Sequence, residues 1–319
     1  MNSGKSGPLV SVVIPCYNRE GLIAEAIESA LGQTGVEIEV VVVDDGSTDN
    51  SWLKILSYGS RITAVSSKNC GVSNARNLGV AAATGSWVKF LDSDDYLLPG
   101  AIARQLEQIA RLPDKCLPVG ALAFTNMPTP DQVLLDGIGM EISPMKLGSE
   151  SIQVSQPLLP KSEIQHCGGF RKSSISEDYE LMIRIAMQGW RFYAFPNPVV
   201  FFRDHDDPER LSKNLTEARF GEVAAVYARL FEVIGESDHP NVKEFRSGVA
   251  QSAWSMGRRA ARLKCMPQAK DLFRLAEAAG GHTIRKAKFP LSFLYRLFDP
   301  VNVERFAEFL KAVAGGSKS

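Results

Sequence analysis

Through the first hundred residues the hydrophobic positions follow two alternating rhythms. "LVSVVI" (Leu9 to Ile14) is a continuous β-branched run. It is followed by "GLIAEAIESALGQ", where Ile23, Ile27, Ala30 and Leu31 fall on one helical face. "IEVVVVDDGS" predicts a second strand, and "STDNSWLKIL" a short helix with Ser, Thr and Asp as cap candidates. "RITAVSS" predicts a third strand, "GVSNARNLGVAAATG" a helix closed by Gly85, and "SWVKFL" a fourth strand. Repeated strand–helix units with unalternated strands predict a parallel sheet covered on both faces.

Beyond "LLPGAIARQLEQIARL", where Pro99 suits a first helical turn, the pattern weakens between about residues 112 and 165 and predicts short strands and loops. Regularity returns in "SISEDYELMIRIAMQGW", with Leu181, Ile185 and Ala186 on one face and Gly189 closing the helix. "RFYAF" and "VVFFR" are β-rich, and "PNP" between them predicts a turn. From about Asn214 onward the pattern is helical, with a helix pair joined at Met266-Pro267. The expected division is residues 1–213 and a helical region 214–319.

Composition narrows the setting. A chain of 319 residues, 45% hydrophobic and 23% charged, accommodates one large domain or a main domain with an appendage. Thirty-six basic residues balance thirty-six acidic ones, so nothing in the net charge asks for a nucleic acid. Cys16, Cys70, Cys116, Cys167 and Cys265 are scattered without a C-x-x-C pair, which argues for a reducing compartment and against a structural zinc. No apolar run approaches the roughly 20 residues of a membrane span, and the one near the N-terminus is broken by Pro15. The expectation is a cytoplasmic protein.

In parallel sheets ligands bind beyond the carboxyl ends of the strands. Polar residues gather there: "PCYN" after the first strand, "DDGS" after the second, "DSDD" after the fourth. Asp92 and Asp94, two apart, can face one divalent cation, or else form a capping turn. Asp44 can accept from a base N–H or a ribose hydroxyl, or else cap the following helix. Arg76 offers a guanidinium to phosphate or base, with Lys68 and Asn69 nearby; a lone helical arginine is more often simply solvated. Glu177-Asp178 make a favourable first turn and equally a candidate general base. His205 is a surface residue or a metal ligand. No G-x-x-x-x-G-K-[ST] or G-x-G-x-x-G occurs, which argues against P-loop NTPases and Rossmann dehydrogenases.

Taken together, "SVVIPCYNRE", "VVVVDDGSTDNS", "NCGVSNARNLGVAAATGSWVKFLDSDD", "GGF", "SEDYELMIRIAMQGW" and "FFRDH" resemble the family 2 glycosyltransferases over about residues 9–210. The resemblance implies a GT-A fold, that is a Rossmann-like, mostly parallel sheet flanked by helices, here with a C-terminal α-helical region. It also implies a nucleotide-diphospho-sugar donor, usually UDP-linked, Mn2+ or Mg2+, and inversion at the anomeric carbon. Carried over by residue, nucleotide contacts fall on Pro15, Tyr17, Asn18, Asp44, Asn69, Arg76, Asp92 and Arg203. The metal falls on Asp94 with Asp92 and His205, a sugar contact on Glu177, and the catalytic base on Asp178. An ordinary Asp is a weak base, so burial or Glu177 should raise its pKa.

The Q-x-x-R-W motif and membrane spans of processive members are absent, which points to a single-sugar transferase acting on a glycan, a lipid-linked intermediate or a surface polymer. Residues 256–298 carry ten basic residues against two acidic, which suits a peripheral contact with an anionic cytoplasmic membrane face, or a solvated helical subdomain packing on the catalytic domain or on another subunit in a homo-oligomer. A nucleotidyltransferase and a non-catalytic nucleotide-sugar-binding scaffold are the rival functions.

Overall fold

In the computed structural model the residues described are 7–124, 139–173, 175–203, 215–280, 300–304 and 307. By contacts the chain divides into two units, Met1–Ile142 with Ile152–Asp207, and Ser143–Ser151 with Pro208–Ser319.

The first unit opens with β1 (Val10–Cys16), α1 (Ile23–Leu31), β2 (Ile38–Asp44), α2 (Ser51–Leu56), β3 (Thr63–Ser66), α3 (Val72–Ala82) and β4 (Trp87–Phe90). It continues through β5 (Tyr96–Leu97), α4 (Ala101–Arg111), β6 (Cys116–Ala123) and β7 (Met140–Glu141). The next element, α5 (Pro144–Ser149), belongs to the second unit. β8 (Leu159–Pro160), α6 (Lys161–His166), α7 (Glu177–Met187) and β9 (Arg191–Phe201) complete the first unit.

The main sheet has the order β3-β2-β1-β4-β8, parallel except for β8 at its edge. Every position of β1 is buried, which explains why the strand reads as a continuous apolar run. Alternate side chains serve opposite faces. Val10, Val12 and Ile14 join Ile23 and Ile27 of α1 in one core cluster, which also takes in Leu97, Ile102 and Val200. Val13 and Val43 face α3, where Gly79 lets helix and sheet approach so closely that a Cβ at that position would overlap Val13 Cγ1.

A second sheet has the order β5-β9-β6, with β7 also paired to β9. Here the expected turn at "PNP" is wrong: Pro196, Asn197 and Pro198 lie inside one continuous strand, β9. The prolines are tolerated because pairing with β6 is irregular between Val119 and Leu122, and because β7 and β5 pair with β9 only on either side of them. Gly85 does not close α3; that helix ends at Ala82 with Ala83 extended, and Gly85 lies against Ser11 of β1 and Leu9 just before it. Gly189, with φ of 85°, does stand just past the end of α7.

Lys89 breaks the apolar run of β4. It is fully buried, its Nζ reaching Gln105 Oε1 of α4 (2.8 Å) and the carbonyls of Gln156 (3.2 Å) and Pro157 (3.4 Å). Burial holds its pKa well below the ordinary lysine value.

The second unit contains α5, α8 (Glu217–Gly235), α9 (Val242–Arg262) and α10 (Met266–Ala278). Its core includes Phe220, Val223, Tyr227 and Leu230 of α8 and the edge-on pair Trp254–Phe273, with centroids 4.6 Å apart. α5 crosses α9 at Gly148 and Gly248, whose backbones lie so close that neither position has room for a Cβ. Glu304, buried, ion-pairs with Arg258 and with Arg262, the latter at 3.9 Å, so part of the basic excess expected at the surface is neutralised within this unit. The rest of the basic stretch beyond Gly280 lies outside the described residues. Among the described residues no helix is long and apolar enough to cross a membrane.

Gly79→Ala is expected to destabilise the protein by about 1–3 kcal/mol through overpacking. Adding Val13→Ala should recover part of that loss. Urea denaturation of the two variants checks this, and equal stability of Gly79→Ala and wild type would show that α3 has room to move.

Candidate active site

β2, β1 and β4 are adjacent and parallel, so their carboxyl ends open on one side of the sheet. Cys16 is level with Asp44 and Val13 with Phe90, which sets the segments following Cys16, Asp44 and Phe90 side by side. Pro15 is buried within β1. Beyond it Tyr17 is exposed and Asn18 turns the chain at φ of 51°. This turn is stitched to the one after β2: Asn18 N–H donates to Ser47 Oγ (3.0 Å), Thr48 N–H to Asn18 Oδ1 (2.8 Å), Arg19 N–H to Ser51 Oγ (2.8 Å) and Glu20 N–H to Asp49 Oδ2 (3.1 Å).

The two aspartates after β2 have different environments. Asp45 accepts from Ser67 Oγ and from the N–H groups of Cys70 and Gly71, so it holds the entrance to α3. Asp44, also buried, accepts from Ser47 N–H (3.1 Å) through Oδ2, while Oδ1 has no hydrogen-bond partner among the described residues. A buried acceptor without a donor is costly, and it identifies where a ligand N–H or O–H would be welcome. Asn69, exposed, lies on the loop before α3.

Arg76 joins the site's elements. Its guanidinium is buried, donating to Glu177 Oε1 through Nη1 (2.5 Å) and to Asp92 Oδ1 through Nη2 (2.8 Å), with Phe170 beneath it at 5.4 Å. Burial would lower its pKa, yet the surrounding Asp92, Glu177 and Asp178 outweigh that and raise it. Sequence reasoning placed Arg76 against the nucleotide; in the structure both terminal nitrogens are engaged by carboxylates.

Asp178 is half-buried beside this cluster, with Oδ1 accepting from Tyr179 N–H at 2.7 Å. Burial, then the neighbouring Glu177 charge, raises its pKa to about 7 against the pull of Arg76. The α7 start is thus placed beside the end of β4, and at neutral pH Asp178 has the proton affinity of a general base.

The three aspartates after β4 also divide. Asp95 N–H closes a turn on Asp92 carbonyl (3.1 Å), and its carboxylate accepts from Arg203 N–H (2.9 Å). Asp92 belongs to the Arg76 cluster. Asp94 stands 3.7 Å from Arg19 Nε, a residue the sequence reading did not single out although it directly follows Asn18 in the strand-end turn. Arg203 ion-pairs with Glu25 of α1 and lies over the Tyr96 ring at 5.9 Å. His205 lies outside the described residues. Among the described residues no three His, Cys, Asp or Glu side chains are grouped to hold a metal. The donor chemistry of Asp92 and Asp94, hard carboxylate oxygens at one strand end, nonetheless fits a Mn2+ or Mg2+ ion.

Residues 11–178 match the family model of glycosyl transferase family 2. The chain belongs to that family. An uncharacterised glycosyltransferase of Rickettsia typhi is 38% identical over 115 residues, covering 36% of each chain. Chondroitin synthase of Pasteurella multocida is 33% identical over 188 residues, 57% of this chain and 19% of that one. The chain therefore spans about a third or less of these curated relatives. Among solved structures, S. aureus TarS 1–349 in complex with UDP-GlcNAc superposes with a TM-score of 0.72 at 19% identity, over 96% of this chain and 92% of that one. At that identity the likeness establishes the fold, a GT-A α/β sheet with a helical C-terminal region.

Two outcomes test the electrostatics. Arg76→Met strands the buried Glu177 carboxylate and should cost about 3–5 kcal/mol in urea denaturation. For Asp178, the folded carboxyl keeps its proton up to about 7 while the unfolded one releases it near an ordinary Asp value. The folded state then binds more protons between those values, so stability falls as pH rises through that window. Asp178→Asn should abolish that part of the slope, measured as melting temperature against pH.

Proposed function

We propose that this family 2 glycosyltransferase moves a sugar from a UDP-linked donor to a hydroxyl of a glycan, lipid-linked saccharide or surface polymer, with inversion at the anomeric carbon. The observation that carries the reading is the buried Arg76, which ties Asp92 after β4 to Glu177 beside Asp178. That bridge sets the end of β4, where the donor would bind, next to a carboxylate of raised proton affinity. Family membership favours transfer over the nucleotidyltransferase and scaffold alternatives.

Asp44 Oδ1, buried and without a donor among the described residues, suits the N3–H of a uracil. Tyr17, exposed above the β1 turn, offers a ring face for the base. Asp178 takes the proton of the acceptor hydroxyl as its oxygen bonds to the anomeric carbon. The bond from that carbon to the phosphate oxygen breaks, and the nucleoside diphosphate leaves with the electron pair. Glu177, held by Arg76, keeps Asp178 from ionising too readily and so preserves its basicity. A Mn2+ or Mg2+ ion held by Asp94 and Asp92, with His205 as a further ligand, would supply positive charge to the diphosphate. Arg19 and Arg203 stand on the same side of the sheet as cationic partners for phosphate oxygens.

The deciding measurement is thermal shift and hydrolysis with UDP-, GDP- and dTDP-sugars in the presence of Mn2+. UDP-sugars should bind and turn over. Asp178→Asn should keep donor binding and lose about 10²–10⁴-fold in transfer. Absence of binding by every donor would refute the reading, and near-normal transfer by Asp178→Asn would remove the base assignment alone.

A further inference from the structure

α3 presents Ser73, Arg76 and Asn77, spaced i, i+3 and i+4, to the segment that precedes α7. Arg76 holds the acids, as described. Its neighbours bind backbone: Ser73 Oγ donates to Ser173 carbonyl (2.9 Å), while Asn77 pairs with both main-chain groups of Phe170. Asn77 Nδ2 donates to Phe170 carbonyl and Phe170 N–H donates to Asn77 Oδ1, each at 2.8 Å. The side-chain amide thereby acts as a short piece of β-ladder on a loop.

Three further features lock this contact. Gly169 has φ of 70°, and a Cβ there would lie 2.5 Å from Asn77 Oδ1, so the approach requires glycine. Arg184 of α7, itself buried, donates to Cys167 carbonyl (2.5 Å) and Gly169 carbonyl (2.7 Å). The Phe170 ring then lies under the Arg76 guanidinium and meets Phe90 of β4 edge-on, with centroids 5.1 Å apart. The loop Cys167–Phe170 is thus fixed to α3 by Asn77 and to α7 by Arg184.

We propose that Asn77 is a positioning residue for the transfer step: by pinning Phe170 it sets the loop that carries α7, and with it the placement of Asp178 against a bound donor. Asn77 touches no reacting atom, and the proposal rests on the reading of Asp178 as base. Losing the clip displaces the base while leaving the Asp44 pocket intact, because Asp44 and its turn make no contact with the loop among the bonds described. A misplacement of about 1 Å at a reacting group costs on the order of 100-fold in rate.

The test is Asn77→Ala, Asp178→Asn and the double variant, with turnover and donor KM measured separately for UDP-sugar transfer. Asn77→Ala should lower kcat on the order of 100-fold and leave donor KM within about twofold, as for an interaction needed only for the chemical step. The double variant should fall no further than Asp178→Asn alone, since the two act as one unit. Additive losses, or a rise in donor KM as large as the fall in kcat, would overturn the proposal. If Asn77→Ala does not fold, Asn77→Asp keeps the acceptor for Phe170 N–H and removes the donor to its carbonyl; it should show a kcat-only loss in the same direction, and an unchanged kcat counts against the clip. Hydrogen exchange of the Glu177–Leu181 segment separates the two readings. Wild type without turnover refutes the transfer reading, whereas unaltered exchange in the variant refutes the clip whether or not the enzyme turns over.

Discussion

A guanidinium removed from water needs counter-charge close at hand, because desolvating an ion costs several kcal/mol unless neighbouring groups offset it. Arg76 meets this requirement with Glu177 and Asp92, which come from the start of α7 and from the end of β4. The neighbouring α3 and β4 and the sequence-distant α7 are therefore held together by one cation. Glu177 cannot be buried there without Arg76, and Arg76 cannot be buried without Glu177 and the partly exposed Asp92. The raised proton affinity of Asp178 is a by-product of the same arrangement: it sits in a depleted solvent environment beside Glu177, and Arg76 only partly compensates because it already serves two other carboxylates.

The acids along the strand ends divide into those that build the crevice and those with capacity to spare. Asp45 and Asp95 have their oxygens directed at backbone N–H groups of Cys70, Gly71 and Arg203. Asp44 keeps one buried oxygen without a partner among the described residues. Adjacent residues of identical chemistry thus carry different loads, and the difference comes from which way each points out of an extended segment.

Most of the parallel sheet was legible in the sequence because strands buried on both faces leave a continuous apolar signature. The convergence of "PCYN", "DDGS" and "DSDD" followed from topology, since β2, β1 and β4 are neighbours. The "PNP" segment misled because a proline pair reads as a turn, whereas an irregular register and a gap on the neighbouring edge let β9 run straight through. Gly85 misled for a similar reason: its lack of a side chain answers to a tight contact with Ser11, not to helix termination. Lys89 was passed over within an apolar run, as its partners are two glutamine groups and a proline carbonyl scattered across the sequence. Arg19 and Asn77 lacked any local signal, because their partners, Asp94 and Phe170, are distant in the chain.

The crossing of Gly148 and Gly248 bears on how the chain can be divided. Backbone lies on backbone there, so the packing surface of α5 is supplied by α9 rather than by the sheet that flanks it in sequence. A fragment ended near residue 213 would keep α5 while discarding the helix it rests on. Its Leu147, buried in the intact chain, would then face water inside an insertion between β7 and β8. Dissection of this enzyme into halves by a single cut thus breaks a fold that is interleaved, and the helical unit is better regarded as a partner threaded through the catalytic sequence than as a removable tail.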